Sequence, residues 1–176
     1  MQKLSIQHCT MDDWDEILKI YEDARLFMAE HGNPDQWGHS YPPKKIIRRD
    51  IEKEQLYRCV LEDGRTAGLF WMSINEDTVF DELQEGSWPD DGPHATVGRI
   101  AANGIGRGVA GFCLDWAFSQ SGSVRIYTHP QNTIMRSILE KHGFVHCGRV
   151  RSSVLLAYQR CCRKPQTAAA SDCQDA

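Results

Sequence analysis

The stretch Asn103 to Gly111, NGIGRGVAG, places Gly106, Gly108 and Gly111 in the order G-x-G-x-x-G. Where a strand leads in and a helix leads out, such glycines bring backbone N–H groups and the positive end of a helix dipole to one point, and a phosphate binds there. The run ATVGRIAA before them reads as a strand, and Val109, Phe112, Cys113, Trp116 and Ala117 after them recur at helical spacing. A phosphorylated ligand is therefore expected. A nicotinamide or flavin dinucleotide does not fit. Its fingerprint lies in the first strand-to-helix turn of a doubly wound sheet, with an acid about 20 residues on that holds the ribose. Here four strand-like runs precede the glycines, and the next strand ends in Thr128-His129-Pro130. No Gly-Lys-Ser/Thr follows, which excludes a P-loop.

The elements that must position this loop alternate in type. LSIQHC is a short strand, and TMDD supplies a capping box from Thr10 and Asp13. Trp14, Ile17, Tyr21, Ala24 and Met28 then mark the buried stripe of a helix that stops at HGNP. A second helix is expected over Pro43 to Lys53, opened by its proline, with Lys44, Lys45, Arg48 and Arg49 on a solvated face. LYRCVLE and TAGLFWMSI form a hairpin about Asp63-Gly64. The acidic NEDTVFDELQEGSWPDDGPH lacks a period and reads as one long loop, a common place for function. SVRIYTH is a strand, NTIMRSILEKHGF a helix ending at Gly143, and VHCGRV and SSVLLAYQR are two last strands. The reading is one α/β domain over 1–162 and a disordered tail over 163–176.

Composition narrows the partners. A net charge of −4 without a clustered basic surface excludes a nucleic-acid footprint. Seven scattered cysteines without a C-x-x-C pair suggest neither a zinc site nor a disulfide framework, and no metal is expected. No run reaches the roughly 18 apolar residues of a membrane span, so no membrane partner is expected and a cytoplasmic protein is the simplest reading.

RIAANGIGRGVAGFCLDWAF followed by VRIYTHPQNTIMRSILEKHGF resembles the acyl-CoA-binding core of the GNAT superfamily of N-acetyltransferases. The family's pyrophosphate loop runs Gln or Arg, two residues, Gly, one residue, then Gly or Ala. Gly108 and Ala110 match the small positions, and Ile105 stands at the polar one. IYEDARLFMAEHGNPDQW resembles the N-terminal helix and substrate loop of a bacterial subgroup of unassigned substrate, so the likeness extends over about Leu4 to Gln159. It implies an α/β (α+β) fold with a mixed, twisted central sheet, splayed between two strands and flanked by helices. Acetyl-CoA is implied as cosubstrate, contacted by Ile100, Ala101, Ala102, Ile105, Gly106, Arg107, Gly108, Val109 and Ala110, with Asn132 near the pantetheine arm. Backbone N–H groups around Ile100 to Ala102 serve a developing oxyanion, and Arg107 reaches the diphosphate.

The implied activity is acetylation of a primary amine, with a small molecule favoured over a protein amine, by a monomer or homodimer. The alternative is a noncatalytic acyl-CoA-binding module. The family's tyrosine acid falls on Leu139, so an unassisted thiolate is expected, with Tyr127 as a packing residue. His94 is the base expected, with Glu85, His129 or a water chain as alternatives. Trp37, Tyr41 and Trp88 are expected to bound the acceptor, or to pin their loops, and Glu82, Glu85, Asp90 and Asp91 to favour an ammonium group. Trp14, Trp71 and Trp116 are expected in the core.

Overall fold

The computed structural model describes residues 3–74, 82–151 and 153–162, so the tail and residues 75–81 of the acidic stretch lie outside the described residues. Eight strands form one sheet: β1 (Leu4–His8), β2 (Leu56–Leu61), β3 (Thr66–Ile74), β4 (Leu83–Gly86), β5 (Ala95–Ala102), β6 (Ser123–Thr128), β7 (Val145–Val150) and β8 (Leu156–Cys161). Their order is β1-β2-β3-β5-β6-β8-β7-β4, antiparallel throughout except for the parallel pair β5–β6.

Helices α1 (Trp14–Glu30) and α2 (Lys44–Glu52) cover one face, and α3 (Val109–Ser121) and α4 (Thr133–Lys141) the other. Alternation along the strands divides the core accordingly. Phe70, Val97, Ile126 and Tyr158 pack beneath α3 and α4 with Cys113 and Leu139. Leu56, Leu69 and Trp71 pack beneath α1 and α2 with Ile17, Tyr21 and Ile47. Trp14 and Trp116 lie against these clusters, partly buried. No helix among the described residues is long and apolar enough to cross a membrane.

Local chemistry explains most element ends. The Thr10 N–H donates to Asp13 Oδ2 at 2.8 Å, and a 3₁₀ turn over Met11–Asp13 leads into α1. In the β2–β3 hairpin Asp63 receives the Arg65 side chain at 2.8 Å while Gly64 takes φ 86°. One expectation fails: the acidic stretch is not all loop. Leu83–Gly86 forms β4 at the sheet edge, paired with β7 where Gly86 meets Gly148. A side chain at either glycine would collide with the opposite backbone. One apolar residue in a four-residue strand gives no alternation to detect.

Candidate active site

The parallel pairing of β5 with β6 runs Ala95↔Val124, Thr96↔Arg125, Val97↔Ile126, and stops. On its other edge β5 stays paired with β3 as far as Ala102↔Gly68. From Gly98 onward, the backbone groups that would have met β6 face a gap. A bulge opens it: between Leu69↔Ala101 and Trp71↔Gly98, Phe70 stands opposite both Arg99 and Ile100. Such a bulge bends and twists its strand.

Arg99 adopts φ 51°, a left-handed conformation that strains a side-chain-bearing residue, so neighbouring contacts must hold it. The Tyr21 hydroxyl donates to the Arg99 carbonyl at 3.4 Å, and burial pushes that hydroxyl well above the ordinary tyrosine range, keeping it a donor. Arg99 Nη2 donates to Asp50 Oδ2 at 2.6 Å and Nη1 to the Tyr41 hydroxyl at 3.3 Å. The guanidinium lies 4.5 Å from the centre of the Trp71 ring. Asp50, fully buried on α2, also receives Arg49 at 3.1 Å.

Two cavities meet at the gap. A cleft of about 410 Å³ is bounded by α1 through Ala24 and Met28, by Ile100–Asn103, by Ala110, and by Asn132 and Met135 at the start of α4. A larger cavity of about 900 Å³ opens on the α1/α2 face, among Trp37, Tyr41, Trp71, Arg99, Tyr127 and His129. A throat of about 40 Å³ joins them between Gly98–Ile100 and Ile126–Thr128.

The glycine loop lies beside the cleft. Gly104 and Gly108 take φ 82° and 68°, while a Cβ at Gly106 would meet Val109 Cγ2 at 2.8 Å and Ala67 at 3.0 Å. Asn103 ties the loop to β3 by donating to Thr66 O at 2.7 Å, and its Oδ1 accepts from the Ile105 N–H at 3.3 Å. The first bond of α3 runs from the Phe112 N–H to Gly108 O at 2.9 Å, so the N–H groups of Val109, Ala110 and Gly111 point out of the helix end. The Val109 side chain is in the core, Ile105 is exposed, and the Arg107 side chain is exposed between its two glycines.

Asn132 caps α4 by accepting from the Met135 N–H at 3.1 Å, and its Nδ2 donates to Gln36 Oε1 at 3.0 Å. At the throat, Thr128 is 1% exposed and its hydroxyl has no hydrogen-bond partner among the described residues. A glycine cradle at a helix N-terminus, a long cleft and a buried hydroxyl at its inner end fit an acyl-CoA.

Other candidate residues fall differently. Trp37, Tyr41 and Trp71, the last expected only in the core, line the larger cavity, and Trp37 also lines the throat. Trp88 does not line it; its ring packs edge-on against Tyr127 at 6.1 Å, with the Arg125 guanidinium 3.9 Å from its centre. The acids also lie elsewhere. Buried Arg125 and Gln159 need acceptors, and they draw the segment after β4 onto β6 and β8 by donating to Asp90 O at 3.0 and 2.8 Å, with Asp91 Oδ1 at 3.1 Å from Arg125. Glu82 pairs with Arg151, and Glu85 sits on β4 at the sheet's far edge.

His94 is buried, its Nδ1 3.0 Å from Gly92 O and its ring outside the cavity lining, whereas His129 is part of that lining. Leu139 is fully buried in the core. Tyr127, expected as a packing residue, lines both the throat and the cavity. Sequence reasoning also missed Arg49 and Lys53, which reach the cavity from the end of α2, and Arg99, a lone arginine in an otherwise apolar strand.

A sheet splayed beside a glycine-rich helix start defines an acyltransferase architecture, and solved structures share it. A GNAT-family acetyltransferase from Streptococcus agalactiae 2603 is 30% identical over 92% of this chain and 96% of that chain, with a TM-score of 0.81. Another, from Listeria monocytogenes 4b F2365, is 16% identical over 89% and 94%, with a TM-score of 0.68. No family model and no curated protein matches the sequence. The chain belongs to the GNAT family of acetyltransferases.

Proposed function

We propose that this acetyltransferase uses acetyl-CoA as cosubstrate and acetylates the primary amine of a small molecule. The observation that carries this reading is the throat: among the described residues, two cavities approach one another where β5 and β6 part, with a small cavity between them that shares lining residues with both. Acetyl-CoA supplies an acetyl group activated as a thioester.

The chain's residues do the rest. The loop Gly104–Gly108 and the first turn of α3 hold the diphosphate. Unpaired backbone groups of β5 around Ile100 face the position where negative charge develops. His129, on the cavity wall, takes the proton of the amine, and the Tyr127 hydroxyl, on the throat wall, returns one to the departing thiolate. A cavity of about 900 Å³ bounded by aromatic rings suits a small molecule.

Two measurements test this. Acetyl-CoA, but not NAD, should raise the melting temperature, and free CoA should appear with an amine from a broad panel. Stabilisation by NAD alone would overturn the reading. Acetyl-CoA binding without turnover of any amine would favour a noncatalytic acyl-CoA-binding module.

A further inference from the structure

Thr128 closes β6 where that strand has lost its neighbour on one side. Its pairing with β8 ends at Thr128↔Leu156, while on the other edge the pairing with β5 has already stopped at Val97↔Ile126. Strand side chains alternate, so Thr128 shares the face of Val124 and Ile126, beneath α3 and α4, and lines the throat there with Ile126 and Met135. Tyr127 turns the other way, its ring against Trp88. Other polar side chains of the throat are committed elsewhere: Asn132 to the Met135 N–H and Gln36, Arg99 to Asp50 and Tyr41. The Thr128 hydroxyl, on a residue 1% exposed, has no hydrogen-bond partner among the described residues.

A buried hydroxyl left unpaired costs stability, and an apolar side chain of the same shape would suit the protein alone better. Its use therefore lies with a ligand. The part of an acyl-CoA that reaches the throat is the thioester. When the amine nitrogen bonds to the carbonyl carbon, the carbonyl oxygen takes the displaced electron pair; when the carbon–sulfur bond then breaks, the pair returns and the sulfur leaves as thiolate. Backbone groups around Ile100 approach that oxygen from β5, and Thr128 stands on the β6 side of the same throat.

We propose that Thr128 is a catalytic residue whose hydroxyl donates to the thioester carbonyl oxygen and holds it as negative charge develops. This rests on the acetyl-CoA reading above. The hydroxyl keeps its proton throughout, and a donor fixed in a site closed to solvent strengthens as its acceptor gains charge.

The experiment pairs Thr128→Val, which keeps the shape and deletes the hydroxyl, with Thr128→Ser, which keeps the hydroxyl. With the best amine of the panel, Thr128→Val should lower kcat about 10²-fold while leaving both KM values in place, and Thr128→Ser should restore most of the rate. The infrared carbonyl stretch of isotope-labelled acetyl-CoA bound to the protein should move to higher wavenumber in Thr128→Val and return in Thr128→Ser. The melting temperature of ligand-free Thr128→Val should hold or rise. A fall of several degrees would show that the hydroxyl is bonded within the protein and overturns the proposal, as does an unchanged kcat or an unmoved carbonyl stretch. Absence of stabilisation of the parent by acetyl-CoA instead sinks the reading on which it rests.

Discussion

The two cavities that meet between β5 and β6 are built from different material. The cleft sets backbone against side chains: the unpaired edge of β5 running into Gly104 on one side, and apolar residues of α1 and α4 such as Met28, Met135 and Ile138 on the other. The cavity beyond the throat is made by side chains from several separated segments, brought together by the clamp on Arg99. A backbone site for a ligand common to a whole family tolerates sequence change wherever main-chain geometry survives. A side-chain site is more readily altered by substitution, so on the proposed reading the acceptor side carries the specificity.

The sharpest break in this contrast is at Asp50. Asp50→Ala leaves the Arg99 guanidinium buried without its carboxylate, and breaking such a pair costs on the order of 3–5 kcal/mol. Denaturant unfolding should show that loss; a loss under 1 kcal/mol would mean the bulge does not need its clamp. Next, Gly108→Glu combines a strained φ of 68° with charge repulsion at the cradle. Acetyl-CoA at about 100 times its dissociation constant should then no longer add the roughly 2.7 kcal/mol of linkage stabilisation expected for the parent. An unchanged thermal shift would place the diphosphate elsewhere.

Tyr127→Phe should lower kcat by about 10²-fold, the ordinary scale of proton transfer by a positioned side chain. It should also remove the descending limb of the rate against pH, leaving a plateau. A plateau already present in the parent would show that the thiolate leaves unassisted. Asn132→Ala removes a helix cap and the tie to Gln36, costing about 1 kcal/mol and raising KM on both sides of the throat.

The smallest effect lies away from both cavities, at Asp115. Burial raises its carboxyl, but hydrogen bonds from Arg160 at 2.6 Å and His142 at 3.0 Å outweigh this and hold it below the usual range. Its contribution is present above the unfolded value of about 3.9 and is lost as pH falls through the folded one. Asp115→Asn should therefore flatten the fall in melting temperature on acidification, slightly, because the group is half exposed. An identical acid profile in the two proteins would count against the interaction.

What the sequence disclosed follows the same division. Gly106 and Gly108 were legible because only glycine suits those backbone positions, and α1 and α3 because their apolar stripes repeat. The bulge at Arg99 was not, because it arises from the register of β3 against β5, a relation between residues some thirty positions apart. Trp88 takes the loop-pinning role of its two alternatives, and the acids near it lie away from the cavity because Arg125 and Gln159, buried donors on strands that follow in the chain, decide their location. A lone arginine inside the run SVRIYT was the one available hint.

The bond between Asn132 and Gln36 bears on traffic. It joins the cap of α4 to the segment that roofs the larger cavity, beside a throat of about 40 Å³, little more than the room one water molecule occupies. On the proposed reading, a donor in the cleft and an acceptor in the larger cavity each enter by a separate doorway, because the throat is too narrow for either to pass. With separate doorways neither has to depart before the other arrives, and both can sit in place at once. Initial-rate lines at several acceptor concentrations should then intersect rather than run parallel.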